Sequence, residues 1–175
     1  LYSYIQKILF RWKLGIINKY YKKGKLIDIG GGIGLFVQYM SSKGWNAILQ
    51  EKYLLPNKDI DSIVDIESLY DIQHKAKYNV ITLWHSLEHI HNINDYFKAF
   101  DRMLANNGIV LIAVPNISAP EKNFYKESWA PYDAPRHLYH FNITTLNQLC
   151  HRYGYTIIRK YSFYQDLPYN VLLSM

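Results

Sequence analysis

The chain has 175 residues, 49% of them hydrophobic, a net charge of +6 and a single cysteine, Cys150. That length fits one domain with a substantial core, and no apolar run approaches the ~18 residues a membrane-spanning helix needs. One cysteine excludes an internal disulfide and a cysteine-rich zinc site, and it fits a reducing, cytoplasmic setting.

Residues 1–23 read as an amphipathic helical segment ahead of a domain over 24–175. Ile5, Ile8, Leu9, Trp12 and Ile16 recur at roughly helical spacing. Lys7, Arg11, Lys13, Lys19, Lys22, Lys23 and Lys25 put much of the net charge ahead of the first strand. Such a patch suits a polyanion such as RNA. A solvated helix face is the plainer account, and no nucleic-acid partner is expected. The basic residues running through this apolar stretch speak against a secretory signal. The sequence starts at Leu1 and stops in the apolar Val171-Leu172-Leu173-Ser174-Met175, so a C-terminally truncated fragment is expected.

The run Leu26-Ile27-Asp28-Ile29-Gly30-Gly31-Gly32-Ile33-Gly34, followed by Leu35-Phe36-Val37-Gln38-Tyr39-Met40, reads as a buried strand, a tight turn and a helix. Glycines let a ligand press on the backbone, and the helix start offers free N–H groups and a positive dipole end. The dinucleotide fingerprint would need glycine at position 35, where Leu35 stands. Gly44-Trp45-Asn46-Ala47-Ile48-Leu49-Gln50-Glu51 gives a turn and a second strand. Glu51, about 20 residues past the glycines, is placed to hold ribose hydroxyls.

Residues 56–78 are polar and irregular, with a short third strand at Ser62-Ile63-Val64 followed by Asp65 and Ile66. A fourth strand spans 78–83 and leads into Trp84-His85-Ser86-Leu87-Glu88-His89-Ile90. A helix is expected from Asn94 or Asp95 to Ala105, ended by Asn106-Asn107-Gly108. The fifth strand is Ile109–Val114, running into Pro115-Asn116. From Ile117 to Phe141 no periodic element shows, yet the stretch is rich in aromatics, prolines and charge; so long a loop in a compact domain points to function. Thr144 or Thr145 opens a helix to about Arg152, and Tyr155-Thr156-Ile157-Ile158 reads as a sixth strand.

Four blocks together resemble the class I S-adenosylmethionine-dependent methyltransferases. They are the Gly30/Gly32/Gly34 turn with Asp28, the 78–89 run ending in Leu87-Glu88-His89, Val114-Pro115-Asn116, and Pro135-Arg136-His137-Leu138-Tyr139-His140-Phe141. The last three resemble a subgroup that includes the ubiquinone-biosynthesis O-methyltransferases. The resemblance implies a Rossmann-like α/β fold, a mostly parallel sheet in the order 3-2-1-4-5-7-6 with strand 7 antiparallel and helices on both faces. It also implies S-adenosyl-L-methionine as cofactor. Asp28 would contact the methionine part, Gly30, Gly31, Gly32 and Gly34 would form the turn, and Glu51 would take the ribose. Asp65 would face the adenine amino group, with the Ile66 N–H on the ring, and Trp84 and His85 would end the fourth strand beside the cofactor.

Methyl transfer from a sulfonium needs donor and acceptor held in line, plus a base where the acceptor must shed a proton. His137 and His140, on the loop expected over the carboxyl edge of the sheet, are the candidate bases; the alternative is that they tie the loop down. His85, Glu88 and His89 stand at i, i+3 and i+4, so one helical turn would bring them onto one face. In the ubiquinone-pathway relatives the matching positions read Glu-x-x-Glu-His and are associated with a divalent metal. His85 in place of the first acid weakens hard-cation binding, and no metal is expected. The reading is O-methylation of a small-molecule or carbohydrate-like acceptor. Its rivals are a tRNA or rRNA methyltransferase and a cofactor-binding protein without catalysis.

Overall fold

The computed structural model describes residues 2–52, 62–63 and 77–162. The expected adenine contacts at Asp65 and Ile66 lie outside the described residues. The chain divides into two compact units, Leu1–Leu87 with Asn92–Ala113, and Glu88–His91 with Val114–Met175.

The first unit is a parallel sheet flanked by helices. It holds α1 (Tyr2–Ile17), β1 (Lys25–Ile29), α2 (Leu35–Ser42), β2 (Asn46–Gln50), β3 (Ser62–Ile63), β4 (Tyr78–Trp84), α3 (Ile93–Met103) and β5 (Leu104–Ala113). The described strands run in the order β3-β2-β1-β4-β5, every pair parallel. β1 lies in the middle, and Leu26, Ile27 and Ile29 are all fully buried, as expected of a strand covered on both faces. Side-chain bonds bracket the β1–β4 pair. Asn79 Oδ1 accepts from the Lys25 backbone N–H at 2.9 Å, and the Ser86 hydroxyl donates to the Ile29 carbonyl at 2.7 Å.

Two expectations change here. Ile5 and Ile8, expected to face inward on α1, are each 47% exposed. Ile16 of the expected face is buried, and Phe10, Leu14 and Ile17 pack on Leu26, Phe36, Val37 and Met40, because the C-terminal half of the helix is the part that meets the core. The helix expected to reach Ala105 ends at Met103, and Asn106-Asn107-Gly108 belong to β5. The ladder pairs Tyr78 with Leu104 and then Val80 with Ile109, so the intervening residues are absorbed as an irregularity of the strand.

The second unit holds α4 (Glu121–Tyr125), two 3₁₀ turns (Lys126–Ser128 and Ala130–Tyr132) and α5 (Ile143–Arg152). The 117–141 stretch therefore contains regular structure that its composition hid. Trp129, Phe141 and Cys150 are buried in this unit. Asn142 and Thr145 form a capping box at the start of α5. Leu138 N–H donates to the Glu88 carbonyl at 2.8 Å and the Tyr139 hydroxyl to the His91 carbonyl at 3.2 Å, which ties the 88–91 segment into the unit. Among the described residues, 155–162 form no strand, contrary to expectation.

Candidate functional site

Ile29 pairs with Gln50 in register, so the glycine turn and Glu51 leave two neighbouring strands at the same carboxyl edge. That edge is where ligands bind in open α/β sheets. The turn is shaped by what lies beneath it. Gly30 has φ 66°, and a Cβ there would come within 2.6 Å of Ser86 Cβ. A Cβ on Gly31 would lie 2.4 Å from Asp28 Oδ2 and 2.6 Å from Leu49 Cδ1. A Cβ on Gly32 would meet nothing within 4 Å, so the turn is packed from below and open above. Gly34 precedes α2 as its N-cap. Gly31→Ala is expected to cost about 1–3 kcal/mol by overpacking, read as a lower denaturation midpoint in urea at unchanged slope.

Asp28 is 2% exposed, and its Oδ1 accepts a hydrogen bond from the Thr82 hydroxyl. Burial pushes its carboxyl up to about 7, against the Thr82 hydrogen bond and the positive charge of Lys13, while Glu51 adds to the rise. Glu51 Oε2 accepts from the Gly32 N–H at 2.9 Å, so this acid braces the turn from the next strand. Trp84 and His85 follow at the end of β4. His85 holds φ 56°, and its N–H donates to the Ala113 carbonyl at 2.9 Å.

Lys13 is the residue the sequence reading missed. Its Nζ stands 4.4 Å from the Trp84 ring centroid, 5.3 Å from Phe36 and 5.9 Å from Phe10, which is cation–π range. Phe36 and Trp84 meet edge to face at 5.8 Å. The indole N–H of Trp84 is buried with no acceptor among the described residues. Lys13 lies one helical turn from both Phe10 and Ile17, and that spacing was the available signal that it faces inward.

The second unit gathers Glu88, His89 and His137, one donor atom from each lying within 4.8 Å of the others. The helical turn expected to unite His85 with Glu88 and His89 does not form, because the left-handed backbone at His85 precedes a 3₁₀ turn of only Leu87–His89. His137 Nδ1 lies 2.7 Å from the Pro131 carbonyl, and its Nε2 lies 3.7 Å from Asp133 Oδ2. His140 is exposed, edge-on to Tyr132 at 5.5 Å.

Residues 3–160 match the family described as "Methyltransferase domain". The chain belongs to that family. The glycine turn of this methyltransferase is open above Gly32 and has two acids at adjacent strand ends. Among solved structures it is similar to a SAM-dependent methyltransferase from Archaeoglobus fulgidus, with 18% identity over 88% of this chain and 74% of that one and a TM-score of 0.63. It is similar to the 1,6-didemethyltoxoflavin-N1-methyltransferase of Burkholderia thailandensis, solved with 1,6-didemethyltoxoflavin and S-adenosylhomocysteine, with 15% identity over 86% and 68% of the two chains and a TM-score of 0.64. It is also similar to phosphoethanolamine N-methyltransferase 2 of Haemonchus contortus, solved with S-adenosyl-L-methionine, with 14% identity over 94% and 41% and a TM-score of 0.61. No curated protein sequence matches the chain. Among the described residues, no helix of the methyltransferase is long and apolar enough to cross a membrane.

Proposed function

We propose that the methyltransferase moves a methyl group from S-adenosylmethionine to oxygen of a small-molecule or saccharide acceptor, as in the subgroup typified by the ubiquinone-biosynthesis O-methyltransferases. The observation that carries the cofactor half is the placement of Asp28 and Glu51 around one glycine turn. Asp28 takes the cofactor's ammonium and Glu51 its ribose hydroxyls. Gly30, Gly31, Gly32 and Gly34 carry the turn, and Trp84 and His85 flank the cofactor from β4. Asp65 and Ile66 keep the adenine role. Lys13, whose charge acts on Asp28, and the indole N–H of Trp84 suit the cofactor's carboxylate, an anion that needs a cation and a donor.

The acceptor half rests on small-molecule chemistry in a similar protein, the toxoflavin-precursor methyltransferase, and on two imidazoles, His137 and His140, as candidate bases. The cofactor supplies an electrophilic methyl group. The chain's own task is to hold the two reactants in line and receive the acceptor's proton.

S-adenosylhomocysteine at 100 times its Kd adds about 2.7 kcal/mol of stability. In a chain of this size that moves Tm by about 5–10 °C. NAD and ATP are expected to leave Tm unchanged in the same scanning-fluorimetry plate. A shift with NAD alone overturns the proposal.

A further inference from the structure

We propose that the sheet edge opposite the glycine turn is a docking surface for the phosphate backbone of single-stranded RNA, built from Lys22, Lys23, Lys25, Lys43, Lys77 and Arg102. All six are exposed and belong to the first unit. In a parallel sheet every strand starts at one edge. Lys22 and Lys23 lie in the turn before β1, and Lys25 is its first residue. Lys43 lies in the turn before β2, Lys77 directly before β4, and Arg102 at the end of α3 just ahead of β5. Contacts along that edge hold these turns together. The Asn46 N–H donates to the Gly24 carbonyl at 3.0 Å, and a Cβ on Gly44 would lie 3.2 Å from Lys23 Nζ. Lys77 Nζ donates to the Arg102 carbonyl, and the Tyr21 hydroxyl to the Asn107 carbonyl.

Sequence order gives only the lysines ahead of β1, for which a solvated helix face is the plainer account. The fold adds Lys43, Lys77 and Arg102 from three other places in the chain. Among the described residues Asp101, in the last turn of α3, is the one acid at this edge. Cations complement helix C-termini, but Arg102 lies in a last helical turn and Lys43 caps α2, which leaves four without that role. A bilayer takes up apolar side chains. The large exposed ones described in this unit are Tyr4, Ile5, Ile8 and Ile33. Ile33 is on the glycine turn, and Ile8 already lies about 14 Å along α1 from Ile17. The helices bring their C-termini to this edge, so no helix start is offered to a DNA major groove. What remains is a row of cations that a flexible strand follows with its phosphates. The five residues of β1, at about 3.3 Å each, put this edge about 16 Å from the glycine turn. RNA held there is a docking partner and not the methyl acceptor.

A short fluorescein-labelled RNA without secondary structure is titrated with the whole chain and followed by anisotropy. No cofactor or acceptor is added, so the outcome is separate from that of the methyltransferase reading. With four of the cations on phosphates, log K should fall against log salt with a slope of about −2.8, and binding should weaken about 50-fold between 50 and 200 mM KCl. Lys22→Ala combined with Lys23→Ala should reduce that slope by about 1.4 and the affinity about 25-fold at about 100 mM KCl. Lys43→Glu, on a different turn, should weaken binding independently. Lys7→Ala combined with Arg11→Ala, exposed on α1, should leave affinity within about twofold. Saturating RNA should also leave S-adenosylhomocysteine affinity unchanged, and competition between the two would overturn the placement. Affinity indifferent to salt, or an equal loss in the Lys7 and Arg11 pair, overturns the surface. So does binding to duplex DNA or to anionic lipid vesicles as tight as to the RNA.

Discussion

Binding of S-adenosylhomocysteine is expected to tighten about tenfold between pH 6 and pH 8, and Asp28→Asn is expected to abolish that dependence. Asp28 is buried against Thr82 and titrates at about 7, so roughly a tenth of it is ionised at pH 6 and nine tenths at pH 8. The proposed partner of its carboxylate is a cationic ammonium, which selects the ionised form. Removing either acid loses a charge-assisted hydrogen bond, worth ~1.5–3 kcal/mol. Asp28→Ala and Glu51→Ala should therefore weaken binding roughly 10- to 150-fold by calorimetry. Lys13→Met should carry the Asp28 midpoint above about 7, since the lysine's charge now holds it down.

The same group sets a stability trend with a definite sign. Its pKa is raised from 3.8 to about 7 on folding, so the folded chain holds a proton that the unfolded chain has released. The stability linked to that proton is fully present below pH 4 and lost as pH rises through about 7. Without cofactor, Asp28→Asn should match the parent at pH 4 and exceed it by about 4 kcal/mol above pH 8. Equal urea midpoints of parent and variant at both pH values would show that the carboxyl is not desolvated as the structure has it.

The second large effect concerns the base. His140→Ala is expected to slow methyl transfer ~100-fold or more, while S-adenosylhomocysteine affinity stays within about twofold. The acceptor for that assay comes from mass spectrometry of ligands that co-purify with the chain. His140 is exposed beside Tyr132, so little packing is lost with the ring. A fall in Tm together with looser cofactor binding, and no selective loss of rate, would make His140 a tether of its segment. His137→Ala is the comparison. It should leave the rate within about twofold where His140 is the base, and slow transfer by the same factor where His137 is.

The glycine-turn edge of the sheet was legible because it is local. Apolar runs that break at Gly30 and Gly44, and acids at Asp28 and Glu51, are read directly from spacing, and β1, β2 and β4 formed where those runs lie. What failed was decided by partners distant in sequence. Asn106-Asn107-Gly108 has the composition of a helix end, but pairing of β5 with β4 draws it into the strand. On α1 two apolar stripes compete, and periodicity alone could not tell that Phe10, Leu14 and Ile17 win over Ile5 and Ile8. Lys13 followed from that rotation. The meeting of Glu88 and His89 with His137 joins residues almost 50 positions apart, and no local pattern encodes it.

The two side-chain bonds that bracket β1 and β4 have a consequence for how the chain tolerates length change. Asn79 fixes the start of the pair at Lys25, and Ser86 fixes its end at Ile29. Between them the strand has five residues, and Asp28 must fall opposite Thr82. One residue inserted or deleted within β1 turns every following side chain to the opposite face, sending Asp28 away from Thr82 and breaking one of the two end bonds. At the irregular start of β5 the ladder with β4 already shifts register, although the Asn107 carbonyl accepts a hydrogen bond from the Tyr21 hydroxyl. Insertions should be survivable there and lethal in β1, so the segment that holds the cofactor acid behaves as a ruler of fixed length.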